Sequence, residues 1–199
     1  MKNKFKILGI ALTLFLMSFK PLKDKKVIVI DAGHGGKDFG FIVGSAYEKE
    51  IVGNISEKIK SFNRKEDTEI ILIGNSDTIT SIGARVEKIN QLKPDLVISL
   101  HLSMSNNKAV NGVQAFISEQ NQHYEESLAH AEKLMQVVAE KDSKTGEVKK
   151  TNLLLLKDSL SPAVSLELGF LSNEADKNYL MSDKGQVKIA KRILTYLNK

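Results

Sequence analysis

The 199-residue sequence contains no cysteine. That absence excludes a disulfide scaffold, a cysteine-based zinc finger, an iron–sulfur site and a thiol nucleophile. It also fits an oxidising compartment. Phosphate-loop signatures are missing too. The stretch Gly33-His34-Gly35-Gly36 has neither the Gly-Lys-Ser/Thr ending of a P-loop nor the G-x-G-x-x-G spacing of a dinucleotide site. There is no internal repeat, no low-complexity tract and no linker to a second domain. A basic surface is lacking as well, although the net charge is +5. Lys2, Lys4, Lys6 and Lys20 fall in the first twenty residues, where there is no acid. Without them the basic and acidic counts differ by one, so no nucleic-acid partner is expected.

The first segment present is a leader. After its lysines comes a charge-free apolar run, Ile7 to Phe19. A basic start followed by such a run is the build of a secretory signal peptide. The run is short for a membrane span, which needs roughly 20 residues. Lys20-Pro21 follows it with no A-x-A-like cleavage site, so retention as an uncleaved anchor is the alternative. The leader is assigned to residues 1–20 and the domain to 25–199, exported to the periplasm or cell envelope. The length and the 42% hydrophobic content suit one domain with a core.

Beyond the leader, β-branched runs alternate with helical periodicity. Val27–Ile30, Glu69–Ile73, Leu96–His101, Gly112–Ser118, Leu153–Leu155 and Ala163–Glu167 read as strands. Helices are expected at 48–62, where Ile51, Val52, Ile55 and Ile59 share a face, and at 81–92, before the break at Lys93-Pro94. Further helices are expected near 122–140, 174–181 and 184–197, with a polar loop over Lys141–Lys150. This alternation predicts a single layered α/β domain with a mostly parallel mixed sheet flanked by helices.

Ligands of open α/β sheets sit beyond the carboxyl ends of the strands. His34 follows the first strand, His101 ends the third and Glu167 ends the last, while Glu48 opens a helix. Two imidazoles and a carboxylate converging there suit Zn²⁺ and leave a fourth position open. A further carboxylate could take a proton from water and pass it to a leaving amine. Each residue also has a structural explanation. His34 could be a loop residue, His101 a hydrogen-bonded core histidine, and Glu48 a carboxylate favoured by the helix dipole. Glu167, between Leu166 and Leu168, is costly to bury without a partner. His123 and His130 are expected on a helix surface.

These residues lie in blocks that resemble the zinc-dependent N-acetylmuramoyl-L-alanine amidases of the amidase 3 type, which are bacterial cell-wall hydrolases. The blocks are Ile30–Asp38, Tyr47–Glu50, Ile98–His101 and Pro162–Asn173, with Arg85 also fitting, and the resemblance runs from Val27 to Leu197. It implies one Zn²⁺ held by His34, Glu48 and His101, with Glu167 as the catalytic glutamate. The implied reaction is hydrolysis of the amide between N-acetylmuramic acid and L-Ala of the stem peptide. The implied partner is peptidoglycan, with room for a protein activator, and the chain is expected to act as a monomer. Two departures stand out. Ile73-Gly74 replaces a frequent Thr-Arg, and Leu102-Ser103-Met104 follows the second histidine where Ala-Asn-Ala is usual. The second departure leaves open a silent envelope protein of the same fold that binds muropeptide or a partner. Lys141–Lys150 is too short for an autoinhibitory helix, so an open site is expected.

Overall fold

The computed structural model describes residues 25–74, 81–139 and 146–198. The leader and residues 141–145 of the expected polar loop lie outside the described residues. The run around Val27–Ile30 becomes β1 (Lys26–Ala32), and Glu69–Ile73 lies within β4 (Thr68–Ile73). β5 spans Leu96–Ser103, β6 spans Gln114–Ile117 and β8 spans Ala163–Phe170. A two-residue strand, β7 (Lys149–Lys150), closes the sheet. The order is β4-β1-β5-β8-β6-β7. β1 pairs in parallel with β4 and β5, β5 with β8, and β7 with β6, whereas β6 runs antiparallel to β8. The sheet is therefore mixed and mostly parallel, as the pattern predicts.

Strand alternation sends neighbouring residues to opposite faces. Ile28, Ile30, Leu96, Ile98 and Leu100 pack against α1 (Glu48–Phe62), α3 (Tyr124–Val138) and α6 (Asp183–Leu197). α5 (Glu174–Met181) adds Leu180 to this layer. Val29, Val97 and Ala163 face α2 (Ile82–Leu92) and α4 (Leu154–Asp158) instead. The two layers bury apolar surface worth roughly 25 cal/mol per Å². α2 stops where Lys93 turns left-handed (φ 46°) just before Pro94.

Several expectations require correction. Leu153–Leu155 is not a strand; Leu153 precedes α4, and Leu154 and Leu155 belong to it. A short apolar run looks alike in both states. Here Leu155 and Leu156 point inward together while Leu153 and Leu154 are exposed, which is a helical division. β5 and β8 also run past His101 and Glu167, so neither residue ends its strand. The register of this pair shifts between His101 and Ser103. His123 sits at the N-cap position of α3 rather than on it. His130 is not a free surface residue. It is half-buried, its Nδ1 meets the Tyr196 hydroxyl, and burial pushes its pKa down. The hairpin of β2 (Ile42–Val43) and β3 (Ala46–Tyr47) was not expected. Among the described residues no helix is long and apolar enough to cross a membrane.

Candidate metal centre

The chain leaves β1 at Ala32 and enters the glycine-rich loop. His34 has φ 67°, and Gly35 and Gly36 follow with positive φ. This left-handed run turns the His34 imidazole back toward the carboxyl ends of the strands. Glu48 arrives as the first residue of α1, directly after the β2–β3 hairpin. His101 comes from β5, and its register partner across the β5–β8 ladder is Glu167. Four separated segments thus meet at one edge of the sheet.

His34, Glu48 and His101 each offer one donor atom, and these atoms lie within 4.8 Å of one another. His34 Nε2 and His101 Nδ1 each lie 3.1 Å from Glu48 Oε1. The imidazoles meet edge to face, with ring centroids 5.1 Å apart. Around tetrahedral zinc, with bonds of about 2.0–2.2 Å, donors stand about 3.4 Å apart. The donor types and their spacing therefore fit such an ion. Glu48 is fully buried, and four donors hold it. The Leu102 amide donates to Oε1 and the Phe41 amide to Oε2, both at 2.9 Å, beside the two imidazoles. Burial pushes the Glu48 carboxyl up, but hydrogen bonds from His101, His34 and these amides outweigh it and hold it well below the usual range. The same hydrogen bond to Glu48 raises His34 to about 9 against its own burial, with help from Asp38.

Asp38 escaped the sequence reading as a functional residue. Its Oδ2 lies 2.9 Å from His34 Nδ1, the nitrogen turned away from Glu48. A carboxylate on the far nitrogen fixes the tautomer and orientation of a ligating histidine. Lys49 donates to the Gly36 carbonyl at 2.7 Å and ties the loop to α1. The position of Asp38 four residues after His34 was the available signal, but the loop geometry that joins them was not.

Two glycines leave room for the cluster. A Cβ on Gly33 would stand 2.3 Å from His101 Cε1, and one on Gly40 would stand 2.6 Å from Glu48 Oε2. Gly33→Ala should therefore displace the His101 ring and weaken metal binding. Competition against a chromophoric chelator would measure this, and an affinity equal to the parent's would refute it.

Glu167 lines the same cleft of about 330 Å³, together with Asp31, His34, Arg85, Ser99, His101 and Ser165. Its Oε2 is buried and has no hydrogen-bond partner among the described residues. Burial raises its pKa, opposed by a hydrogen bond from Ser103 and by His101. Ile82, Leu153 and Leu154 form an exposed apolar wall on the α2 and α4 side.

This arrangement defines an α/β domain with a three-donor cluster and a neighbouring half-buried carboxylate at the carboxyl ends of the parallel strands of a mixed sheet. Comparison with known proteins is more specific. The family model for N-acetylmuramoyl-L-alanine amidase of type 3 matches residues 28–199, and the chain belongs to that family. It is 26% identical to the germination-specific N-acetylmuramoyl-L-alanine amidase of Bacillus subtilis, over 97% of this chain and 93% of that protein. It is 28% identical to the YqiI protein of the same organism, over 94% of this chain and 90% of that one. Among solved structures, the CwlD amidase of Clostridioides difficile, in complex with the GerS lipoprotein, superposes with a TM-score of 0.77 at 28% identity. That match covers 87% of this chain and 99% of CwlD.

Proposed function

We propose that residues 25–199 form an exported, zinc-dependent N-acetylmuramoyl-L-alanine amidase. It cleaves the amide between the lactyl group of N-acetylmuramic acid and L-Ala of the peptidoglycan stem. The observation that carries this reading is the convergence of His34, Glu48 and His101 in one cleft with Glu167, in a chain of this family. His34, Glu48 and His101 would hold the zinc. When bound, zinc supplies a Lewis acid that polarises the amide carbonyl and activates water.

The protein's own groups account for the proton traffic. Glu167 lines the cleft, and its buried Oε2 accepts no hydrogen bond among the described residues. It takes a proton as the water oxygen bonds to the lactyl carbonyl carbon. As the carbon–nitrogen bond breaks, it gives that proton to the departing alanine nitrogen. Burial favours the protonated carboxyl between these two events. Asp38 keeps the imidazole of His34 from rotating, and the Leu102 and Phe41 amides keep Glu48 in place. The wall of Ile82, Leu153 and Leu154 gives the methyl-bearing groups that flank the amide an apolar surface. The Leu102 side chain is buried and its amide donates to Glu48.

Residues 1–20 are proposed to direct the chain to the periplasm or cell envelope, where peptidoglycan is the substrate and the chain works as a monomer. CwlD forms a complex with the GerS lipoprotein, and a protein partner that serves as activator is proposed for this chain as well.

The test is digestion of purified peptidoglycan by the full chain with added Zn²⁺, with products read by mass spectrometry. Glycan strands freed of intact stem peptides are expected. Release of single terminal amino acids would instead indicate an exopeptidase.

Proton competition gives a second test. With no metal bound, His34 holds its extra proton up to about 9. A metal ion must displace that proton. Zinc affinity should therefore rise about tenfold per pH unit from about 7 toward 9, then level off. Titration calorimetry in buffers of different ionisation enthalpy would show the released proton. A flat affinity over that window would contradict the assignment of His34.

A further inference from the structure

Behind His34 lies a buried polar network centred on α2. Arg85 is 6% exposed. Its Nη1 donates to Asp31 Oδ1 at 2.8 Å and to the Ala32 carbonyl at 2.7 Å. Its Nη2 donates to the His34 carbonyl. The Ser99 hydroxyl donates to the other Asp31 oxygen at 2.7 Å. Gly74, at the end of β4 with φ 80°, makes the space. A Cβ there would stand 2.4 Å from Arg85 Nη1 and 2.3 Å from the Ala32 oxygen. The end of β1 and the loop after it thus supply the acceptors for one planar cation, with Ser99 of β5 supporting Asp31 and Gly74 leaving the space.

The position of those carbonyls gives the network its meaning. Ala32 is the last residue of β1, and His34 lies beyond any strand pairing. His34 bears a Cβ yet adopts φ 67°, a conformation that side-chain-bearing residues rarely take. The guanidinium is anchored on Asp31 and grips the carbonyls on both sides of Gly33. That grip fixes the direction in which the imidazole leaves the backbone. A planar fork can hold several acceptors at once, whereas a lysine ammonium is a point donor on a flexible stem.

We propose that Arg85, seated on Asp31 and Ser99, is a positioning residue that clamps the backbone of His34 in its left-handed conformation and so presets the imidazole for metal. The inference rests on the metal-centre reading above. The competing view is an ion pair that only secures α2 against the sheet. Such a pair would set melting temperature and leave the metal affinity of the folded protein unchanged.

The experiment compares the full chain with its Arg85→Lys and Arg85→Gln variants. Co²⁺ affinity is measured by chelator competition, site geometry by the visible absorption of bound Co²⁺, and fold by circular dichroism of the metal-free protein. Arg85→Lys should fold and bind Co²⁺ roughly 10–100-fold more weakly, the range for loss of a group supporting a ligand. Its Co²⁺ spectrum should also differ from the parent's. Arg85→Gln should bind no better than Arg85→Lys. Affinity within threefold of the parent, with the same spectrum, would overturn the clamp. Failure of both variants to fold at saturating metal would make Arg85 a folding residue and overturn it equally. A parent that takes up no metal would defeat the metal-centre reading first, and the clamp with it.

Discussion

Glu167→Gln should keep its fold and its metal and lose about 10²–10⁴-fold of its amide hydrolysis, the usual contribution of a positioned acid–base group. The substitution preserves volume and leaves His34, Glu48 and His101 untouched. It removes the ability to take a proton and return it. Glu167 pairs in register with His101 across the β5–β8 ladder, so its position is set by backbone hydrogen bonds that the side chain does not make. Burial and the unpartnered Oε2 mark a carboxylate kept in place at a cost to stability. Stem-peptide release by mass spectrometry, with metal content measured on the same sample, decides the matter. Parental activity in the variant would remove Glu167 from its role.

Glu48→Ala should abolish metal uptake and weaken the metal-free fold together. Loss of a supporting group costs roughly 10–100-fold in metal affinity, and loss of a donor should exceed that. The structural effect comes from the same carboxylate. Two imidazoles and the amides of Leu102 and Phe41 lose their common acceptor inside the protein. Breaking such a buried cluster from one side costs about 3 kcal/mol. The part of the stability from the raised His34 pKa that comes from Glu48 is lost as well. That contribution is full below its ordinary value of 6.5 and vanishes as pH rises through about 9. The stability difference between variant and parent should therefore shrink as pH rises from 7 to 9. Denaturant unfolding of both metal-free proteins would show this, and a variant as stable as the parent at pH 7 would contradict it.

The sheet strands with strong apolar runs were readable because their pattern and their environment agree. Ile28–Ile30 and Leu96–Leu100 are buried on both faces of the sheet, as their near-continuous apolar runs require. α1 and α6 were readable from their apolar stripes. The misreadings share a different cause. Leu153–Leu155 has no periodicity long enough to choose a state, and the packing of Leu155 and Leu156 against Val97 and Ala163 chooses helix. The β2–β3 hairpin has two-residue strands, and β7 is a pair of lysines held by β6, so neither leaves a pattern to detect.

At the candidate site, His34, Glu48, His101 and Glu167 drew notice as polar residues next to apolar runs, their proposed roles came from the family resemblance, and the fold brings the first three together in one cleft with Glu167. Their supporting groups drew no such notice. Asp38, Asp31, Ser99 and Ser103 look like ordinary polar residues until the loop, the β1–β5 register and the β5–β8 register bring them to their partners. Arg85 fitted the family pattern, but its grip on two carbonyls depends on Gly74, whose small size has no meaning until β4 lies beside β1.

The parallel pairing of β1 with β5 has a kinetic consequence. The chain between these strands holds α1, β4 and α2, and β8 follows β5 only after β6, α3, β7 and α4. Such distant pairings close late and slowly. His34 and His101 ride on the first pairing and Glu167 on the second. The set of reactive groups is therefore complete only when both pairings have formed. Hydrolytic competence should appear in a single late phase of refolding, together with the last protection of β5 amides from exchange, and a chain translocated unfolded would be inert until it had finished folding on the far side.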